Sequence, residues 1–175
     1  SPWLPLACVT STDVRECRTG PPQASEHPLG GSLTVFHERG AHMIVALIGY
    51  GEVGRILAED LRARSVAVSA YDLKLDGDRG QPLREHAAAC DVVLAASHAS
   101  AVHGVDLVVS AVTASQTVAA AQSVAPGLKR GAFFLDFNSA SPGAKSRAAE
   151  VVNAAGGRYV EGAVMTSVPP YRIKV

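Results

Sequence analysis

The stretch that decides the fold is IVALIGYGEVGRILAEDL, residues 44–61. Its first five residues form an apolar run of the kind that fills a central parallel strand covered on both faces. Gly49, Gly51 and Gly54 follow, and the next apolar residues recur at helical spacing. The pattern predicts a strand, a tight turn and a helix. Glycines at this spacing occur both in turns that bind a diphosphate and in glycine-rich βα turns with no ligand.

From residue 43 onward, apolar runs alternate with amphipathic segments. The predicted strands occupy residues 43–49, 66–72, 92–97, 105–112, 132–139 and 158–165. The predicted helices occupy 52–64, 82–90, 98–104 (a short helix or turn), 115–131 with an interruption near Pro126, and 141–157 with Ser141 as N-cap, and 73–81 is predicted as a loop. This order predicts an α/β fold, a Rossmann-type doubly wound parallel sheet in three α/β/α layers, formed by residues 43–175.

Residues 1–42 differ from the rest of the chain, because five prolines and several glycines interrupt any helical or strand period. We predict an irregular N-terminal extension there, with an arm that docks on a partner as the alternative. The chain begins with Ser1 rather than methionine, so we expect a fragment or a processed product. Met43 directly precedes the first strong strand and is a plausible natural start.

Composition excludes several classes of protein. The 175 residues are 47% apolar and 18% charged, with 16 basic and 16 acidic side chains, so neither disorder nor a nucleic-acid partner is expected. The three cysteines show no metal-ligand spacing and no disulfide framework is expected, which favours a reducing cytoplasmic location and no metal site. No apolar run is long enough to cross a membrane, so no membrane partner is expected.

The second predicted strand ends in an acidic residue at a position typical of dinucleotide sites. Asp72 lies 18 residues after Gly54, close to the ~20-residue offset at which a carboxylate binds the adenosine ribose. A carboxylate there would repel a 2′-phosphate, so Asp72 favours NAD over NADP, and Lys74 would soften that preference. The other interpretations are a strand-end turn residue and a site for S-adenosylmethionine.

Three later segments, VSAVTASQT, DFNSASPGAK and YVEGAVMTSVPPY, each follow or end a predicted strand. Together with LIGYGEVG, they make the chain resemble the β-hydroxyacid dehydrogenase superfamily, which includes 3-hydroxyisobutyrate and 6-phosphogluconate dehydrogenases. The resemblance covers about residues 43–175, corresponding to the amino-terminal nucleotide domain of that family. It implies an oxidoreductase that uses NAD or NADP to oxidise the hydroxyl of a small hydroxy acid, and a homodimer in the full-length form.

The resemblance also implies roles for individual residues. The pyrophosphate turn would be Gly49, Tyr50, Gly51, Glu52, Val53 and Gly54. The ribose would lie at Asp72 with Lys74 nearby, and the loop after the fourth strand would run beside the cofactor through Ala111, Val112 and Thr113. Asn138 and Ser139 would lie near the nicotinamide and the substrate, in a D-x-S-T-x-x-P type of motif formed with Asp136 and Pro142. The alternative for Asn138 and Ser139 is turn and capping chemistry before a helix.

The sequence departs from the family pattern in two places. Met165, Thr166 and Ser167 stand where the family has Ser-Gly-Gly, so the substrate is expected to differ. The family's catalytic lysine lies on a helix beyond the nucleotide domain, past Val175, and Lys145 is not assigned that role. His98 and His103 are expected to be surface or turn residues rather than catalysts.

Three functional hypotheses follow from these observations. The first is the cofactor-binding part of a dehydrogenase, which would bind dinucleotide and show little turnover alone. The second is a non-catalytic dinucleotide-binding module, and the third is an S-adenosylmethionine-dependent methyltransferase.

Overall fold

The computed structural model describes residues 43–165 and 168–172. Its strands are β1 (Ile44–Ile48), β2 (Ala67–Tyr71), β3 (Val93–Leu94), β4 (Leu107–Ser110), β5 (Phe133–Asp136) and β6 (Arg158–Glu161). Its helices are α1 (Glu52–Arg62), α2 (Gln81–Ala89), α3 (His98–Ala101), α4 (Thr117–Val124), α5 (Pro142–Ala154) and α6 (Val168–Tyr171). The predictions for residues 1–42, and those for Thr166 and Ser167, lie outside the described residues.

All six strands are parallel and lie in the order β3-β2-β1-β4-β5-β6. The chain therefore builds the sheet outward from β1 in both directions, and the Rossmann-type prediction is confirmed. The last residue of β1 lies beside Tyr71 on one neighbouring strand and Ser110 on the other. As a result, the residues that follow these strands, Gly49, Asp72 and Ala111, meet at one edge of the sheet, where ligands bind in sheets of this type.

The side chains of β1 show why the strand sequence is apolar at every position. Val45 and Leu47 belong to a core cluster that α1 and α2 cover, whereas Ala46 and Ile48 belong to a second cluster under α3, α4 and α5. All four are at most 1% exposed. Alternate residues of a strand point to opposite faces, so a strand buried on both faces needs apolar residues throughout. The three-layer prediction is thereby confirmed.

Two helix boundaries follow from local sequence as expected. The side chain of Ser141 accepts a hydrogen bond from the N–H of Ala144 and caps α5. Helix α4 ends at Val124, and a 3₁₀ turn over Ala125–Gly127 follows, at the predicted interruption. Proline cannot continue the hydrogen-bond ladder of a helix, which explains the break.

Every strand is shorter than predicted, and two regions differ most from the prediction. Strand β3 is only two residues long, because it pairs with β2 alone at the edge of the sheet, and Val93 is 51% exposed there. The stretch predicted as a loop forms two 3₁₀ turns, Leu73–Asp76 and Asp78–Gly80. The first turn begins where Asp72 accepts a hydrogen bond from the N–H of Lys74, an Asx-type cap that agrees with the alternative interpretation of Asp72 as a strand-end turn residue. Across the described residues, no helix is long and apolar enough to cross a bilayer.

Candidate cofactor site

The three glycines after β1 are required for three different reasons. Gly49 has a φ of +93°, and a Cβ there would overlap the carbonyl oxygen of Ala111. A Cβ at Gly54 would overlap the carbonyl oxygen of Gly49, so helix α1 packs directly on the turn. Gly51 has an ordinary φ of −75°, and a Cβ there would meet nothing within 4 Å. The protein itself therefore needs glycine at the first and third positions, whereas the space at Gly51 is left open.

The open space at Gly51 belongs to a cleft of about 420 Å³ at the carboxyl ends of β1, β2 and β4. Its lining comes from the glycine turn, the end of β2, one residue of α3, the loop after β4 and one face of α4. These residues are Gly49, Gly51, Glu52, Val53, Tyr71, Asp72, Leu73, Lys74, His98, Ala111, Val112, Thr113, Gln116, Ala119, Ala120 and Ser123. Nine of the residues selected from the sequence meet here, whereas Tyr50, Gly54, Asn138 and Ser139 do not line the cleft.

The first turn of α1 gives the cleft hydrogen-bond donors. The N-cap residue Gly51 has no side chain to accept from the helix, and the first N–H groups of a helix have no intrahelical partner. Gly51, Glu52 and Val53 all line the cleft. Backbone N–H groups at a helix start, together with the helix dipole, favour an anion. The residues present therefore fit a diphosphate group at this position.

The carboxylate of Asp72 fixes the glycine turn against the end of β2. Its Oδ2 accepts a hydrogen bond from the N–H of Tyr50 at 2.8 Å, and its Oδ1 accepts one from the N–H of Lys74 at 2.9 Å. A carboxylate oxygen has more than one lone pair, so Asp72, which lines the cleft, retains capacity to accept hydroxyl hydrogens. The side chain thus holds the turn in place, and its contact with a ribose stays a prediction.

The side chain of Tyr50 points away from the cleft. It is fully buried, and burial raises the pKa of its hydroxyl. The hydroxyl lies 2.9 Å from Nδ1 of His86, whose Nε2 lies 2.9 Å from a carboxylate oxygen of Glu59. Since a carboxylate only accepts hydrogen bonds, Nε2 carries the hydrogen, and in the neutral imidazole Nδ1 accepts from Tyr50. Tyr50 therefore contributes its backbone to the turn and its side chain to the core beneath.

Asn138 holds the loop after β4 rather than lining the cleft. It is 3% exposed. Its Oδ1 accepts a hydrogen bond from the N–H of Val112 at 2.7 Å, and its Nδ2 donates to Oγ of Ser110 at 3.0 Å. Ser139, the next residue, is exposed. The contact of Asn138 and Ser139 with cofactor or substrate stays a prediction, whereas the contacts within the protein give Asn138 a positioning role.

A buried network of charged and polar side chains lies behind this loop, and no local sequence pattern indicates it. Asp136 is fully buried, and Tyr159 donates a hydrogen bond to its Oδ2 at 2.6 Å. Lys145, only 6% exposed, donates to the backbone carbonyls of Asp136 and Gly162, at 3.2 Å each. This network joins the ends of β5 and β6, and it explains why a lysine occupies the inner face of α5.

Three groups of the kind that hold metals also lie together, under the glycine turn. The ligand atoms of Glu59, His86 and Cys90 are within 4.8 Å of one another. Both oxygens of Glu59 already accept hydrogen bonds, one from His86 and one from the guanidinium of Arg172 at 2.7 Å. A cation would have to displace these donors and approach Arg172. The cluster therefore acts as a hydrogen-bonded link between α1, α2 and the end of the described chain, and the absence of a metal site stays a prediction.

Residues 44–168 match the family described as the NAD binding domain of 6-phosphogluconate dehydrogenase. Among solved structures, a conserved hypothetical protein from Sinorhizobium meliloti 1021 is 38% identical with a TM-score of 0.71, and the match covers 76% of this chain and 45% of that one. A conserved protein of unknown function, described as structurally similar to 3-hydroxyacid dehydrogenases, is 29% identical with a TM-score of 0.63, covering 74% and 46%.

The 3-hydroxyisobutyrate dehydrogenase of Mycobacterium tuberculosis, studied with L-serine, has the same fold at 19% identity, with a TM-score of 0.65 and coverage of 73% and 42%. A search of curated proteins gave no match. The chain spans less than half the length of the structures it resembles.

Proposed function

The chain belongs to the family of the NAD binding domain of 6-phosphogluconate dehydrogenase, and from that premise we propose how it holds its nicotinamide dinucleotide. The pyrophosphate lies over Gly51 and the first turn of α1. The observation that carries this placement is the open space at Gly51, because the space at the other two glycines of the motif is filled by backbone. A ligand approaching the backbone closely gives a reason for glycine there, in addition to its role as the N-cap of α1.

The adenosine ribose lies at Asp72, and the cofactor is NAD rather than NADP. The carboxylate accepts hydrogen bonds from the 2′- and 3′-hydroxyls, and it repels a 2′-phosphate. Lys74 also lines the cleft and offers the only nearby cation among the residues that line it. Its charge reduces the discrimination against NADP without reversing it.

The nicotinamide half extends past Ala111, Val112 and Thr113 toward the end of β5. When bound, the cofactor supplies a hydride acceptor for the carbon that bears a substrate hydroxyl. The residues of this chain bind and orient the dinucleotide, and Ser139 offers an exposed hydroxyl on the substrate side. We propose that the polypeptide carrying this domain oxidises a small hydroxy acid, and that it works as a cytoplasmic homodimer.

The cofactor preference is tested by measuring dissociation constants for NADH and NADPH with the wild type, Asp72→Asn and Lys74→Ala. The wild type should bind NADH more tightly than NADPH. Asp72→Asn should reduce this difference in affinity, because it removes the charge but keeps a side-chain acceptor. Lys74→Ala should increase the difference. If the ratio of the NADH and NADPH dissociation constants is unchanged in Asp72→Asn, and the melting temperature is also unchanged, then Asp72 does not bind the ribose.

Asp72→Ala is the harsher companion variant, because it also deletes the acceptor for the N–H of Tyr50. It should weaken the binding of NADH more than the binding of NADPH, and it should lower the melting temperature. Comparing the two variants separates the charge at the ribose from the support of the glycine turn. Equal weakening of both cofactors by Asp72→Ala would count against the ribose contact.

A further inference from the structure

The middle of the glycine turn is attached to the core through the ring of Tyr50. Gly49 and Gly51 flank this residue and carry no side chains, and glycine has more backbone freedom than any other residue. Asp72 holds the Tyr50 backbone from the side of β2. The ring holds it from the core, where it is fully buried, and a Cβ at Gly54 of α1 would lie 3.8 Å from the Cδ2 of that ring. The contacts of the ring therefore help to fix the shape of the turn.

A chain of hydrogen bonds leads from the Tyr50 hydroxyl to the end of the described residues. Tyr50 donates to Nδ1 of His86 on α2 at 2.9 Å, and Nε2 of His86 donates to one oxygen of Glu59 on α1 at 2.9 Å. The other oxygen of Glu59 accepts a hydrogen bond from the guanidinium of Arg172 at 2.7 Å. We call Tyr50, His86, Glu59 and Arg172 the relay. Each member orients the next, because the carboxylate fixes the imidazole tautomer and that tautomer leaves Nδ1 as the acceptor for the hydroxyl.

Arg172 lies directly after α6 and is bound to α1 by two acidic residues. Its Nε donates to Oδ1 of Asp60 at 2.8 Å, in addition to the bond that its guanidinium makes with Glu59. Its φ is +57°, in the left-handed region that residues other than glycine adopt rarely. The contacts with α1 have to outweigh that unfavourable backbone conformation. The guanidinium therefore fastens the segment after β6 to α1.

We propose that the relay positions the glycine turn for the diphosphate, so that Arg172 raises dinucleotide affinity from outside the cleft. This inference rests on the proposed dinucleotide site. The described lining of the cleft includes none of the four relay side chains, so they act through the backbone of Tyr50 and do not touch the ligand. A turn that is already fixed loses less conformational freedom on binding, and this difference appears as affinity.

The relay acts on the diphosphate more than on the ribose. The backbone N–H groups that face a diphosphate belong to Gly51 and the first turn of α1, next to Tyr50 in the chain. The ribose lies at Asp72, at the end of β2, which the relay contacts only through the N–H of Tyr50. A ligand that has the ribose but lacks the diphosphate therefore separates the two effects.

The test uses Tyr50→Phe, which keeps the buried ring but removes the hydroxyl, and Arg172→Met, which removes the guanidinium. Arg172→Lys keeps the charge, and the double variant of Tyr50→Phe with Arg172→Met completes a double-mutant cycle. Lys129→Met is the matched control, because it also removes a cation paired with a carboxylate, that of Asp106, and Lys129 does not line the cleft. Dissociation constants are measured for NADH by fluorescence titration, and for ADP-ribose and adenosine by competition. Melting temperatures show whether each variant folds.

We expect Tyr50→Phe to weaken the binding of NADH and of ADP-ribose by the same factor, roughly 3- to 10-fold, and to leave adenosine binding unchanged. Arg172→Met removes a more exposed interaction and should weaken both roughly 2- to 5-fold. Arg172→Lys should recover part of that loss. In the double variant, Arg172→Met should add little to the effect of Tyr50→Phe, because the relay is already broken. Lys129→Met should bind all three ligands like the wild type.

Wild-type affinity for ADP-ribose in both Tyr50→Phe and Arg172→Met would overturn the inference while leaving the dinucleotide site intact. Fully additive losses in the double variant, or equal weakening of adenosine and ADP-ribose, would also overturn it. If Tyr50→Phe does not fold, the comparison of ADP-ribose with adenosine in Arg172→Met and Arg172→Lys decides between these outcomes. A wild type that binds neither NADH nor ADP-ribose would overturn both the inference and the proposed function.

Discussion

The sharpest consequence of the glycine turn is that alanine at Gly51 and alanine at Gly54 should damage different properties. At Gly54 the new methyl group would overlap the backbone carbonyl oxygen of Gly49. The two atoms would lie well below the 3.0 Å separation under which real Cβ atoms are essentially never found. That oxygen cannot rotate away, so α1 must move off the turn. At Gly51 the methyl group enters open space in the cleft.

The magnitudes follow from these surroundings. Overpacking costs about 1–3 kcal/mol, and a clash with a backbone atom lies at the upper end of that range. Better helix propensity returns up to ~1 kcal/mol, so Gly54→Ala should destabilise the protein by about 2–3 kcal/mol. Gly51→Ala should stay within about 0.5 kcal/mol of the wild type, because a slightly poorer N-cap is offset by lower entropy of the unfolded chain. Its methyl group should instead weaken NADH binding roughly 10-fold or more.

The assay pairs thermal denaturation with NADH titration for each variant. Gly77→Ala is the matched control, because a Cβ at Gly77 also meets nothing within 4 Å and Gly77 does not line the cleft. It should leave affinity unchanged. Wild-type NADH binding by Gly51→Ala, or a loss of stability as large as that of Gly54→Ala, would refute a ligand site at Gly51.

Three further predictions concern the buried polar contacts. Burial raises the pKa of Glu59, but hydrogen bonds from His86 and Arg172 outweigh that effect, so the pKa in the folded protein lies below 4.5. The loss of stability in Glu59→Gln, relative to the wild type, should therefore be constant above pH 4.5 and should vanish as the pH falls through the folded-state pKa. Thermal denaturation at several pH values will check this trend. Tyr159→Phe removes a hydrogen bond to a buried carboxylate and should cost about 1.5–3 kcal/mol by urea denaturation, and an unchanged midpoint would contradict it. Lys145→Met should cost about 2–4 kcal/mol in the same assay, because it leaves the carbonyls at the ends of β5 and β6 without their donor, and a neutral result would show that the lysine is dispensable.

The fold was largely predictable because its signals are local. The apolar run of β1, the glycine turn and the 18-residue offset to Asp72 each depend on residues close in sequence. Strand lengths were overestimated, because apolar residues continue past the point where the backbone leaves the sheet. For β3 the excess follows from its edge position, which leaves Val93 half exposed.

The site was predictable where the backbone alone decides it, and less so where side chains do. Tyr50 was grouped with the turn, yet its ring packs toward His86, 36 residues away, and no local pattern indicates that pair. The amide of Asn138 bonds to Val112 across 26 residues. His98 enters the cleft because α3 crosses over the sheet beside Tyr71, a tertiary arrangement that a four-residue helix does not reveal in sequence.

We propose that this chain holds a nicotinamide dinucleotide over Gly51 with its ribose at Asp72. The most direct measurement is titration of the wild-type chain with NADH, followed through nicotinamide fluorescence, with S-adenosylmethionine added as competitor. We expect saturable NADH binding, with a dissociation constant on the order of 1 μM to 1 mM, that excess S-adenosylmethionine does not displace. The absence of an NADH response, together with clear binding of S-adenosylmethionine, would contradict it.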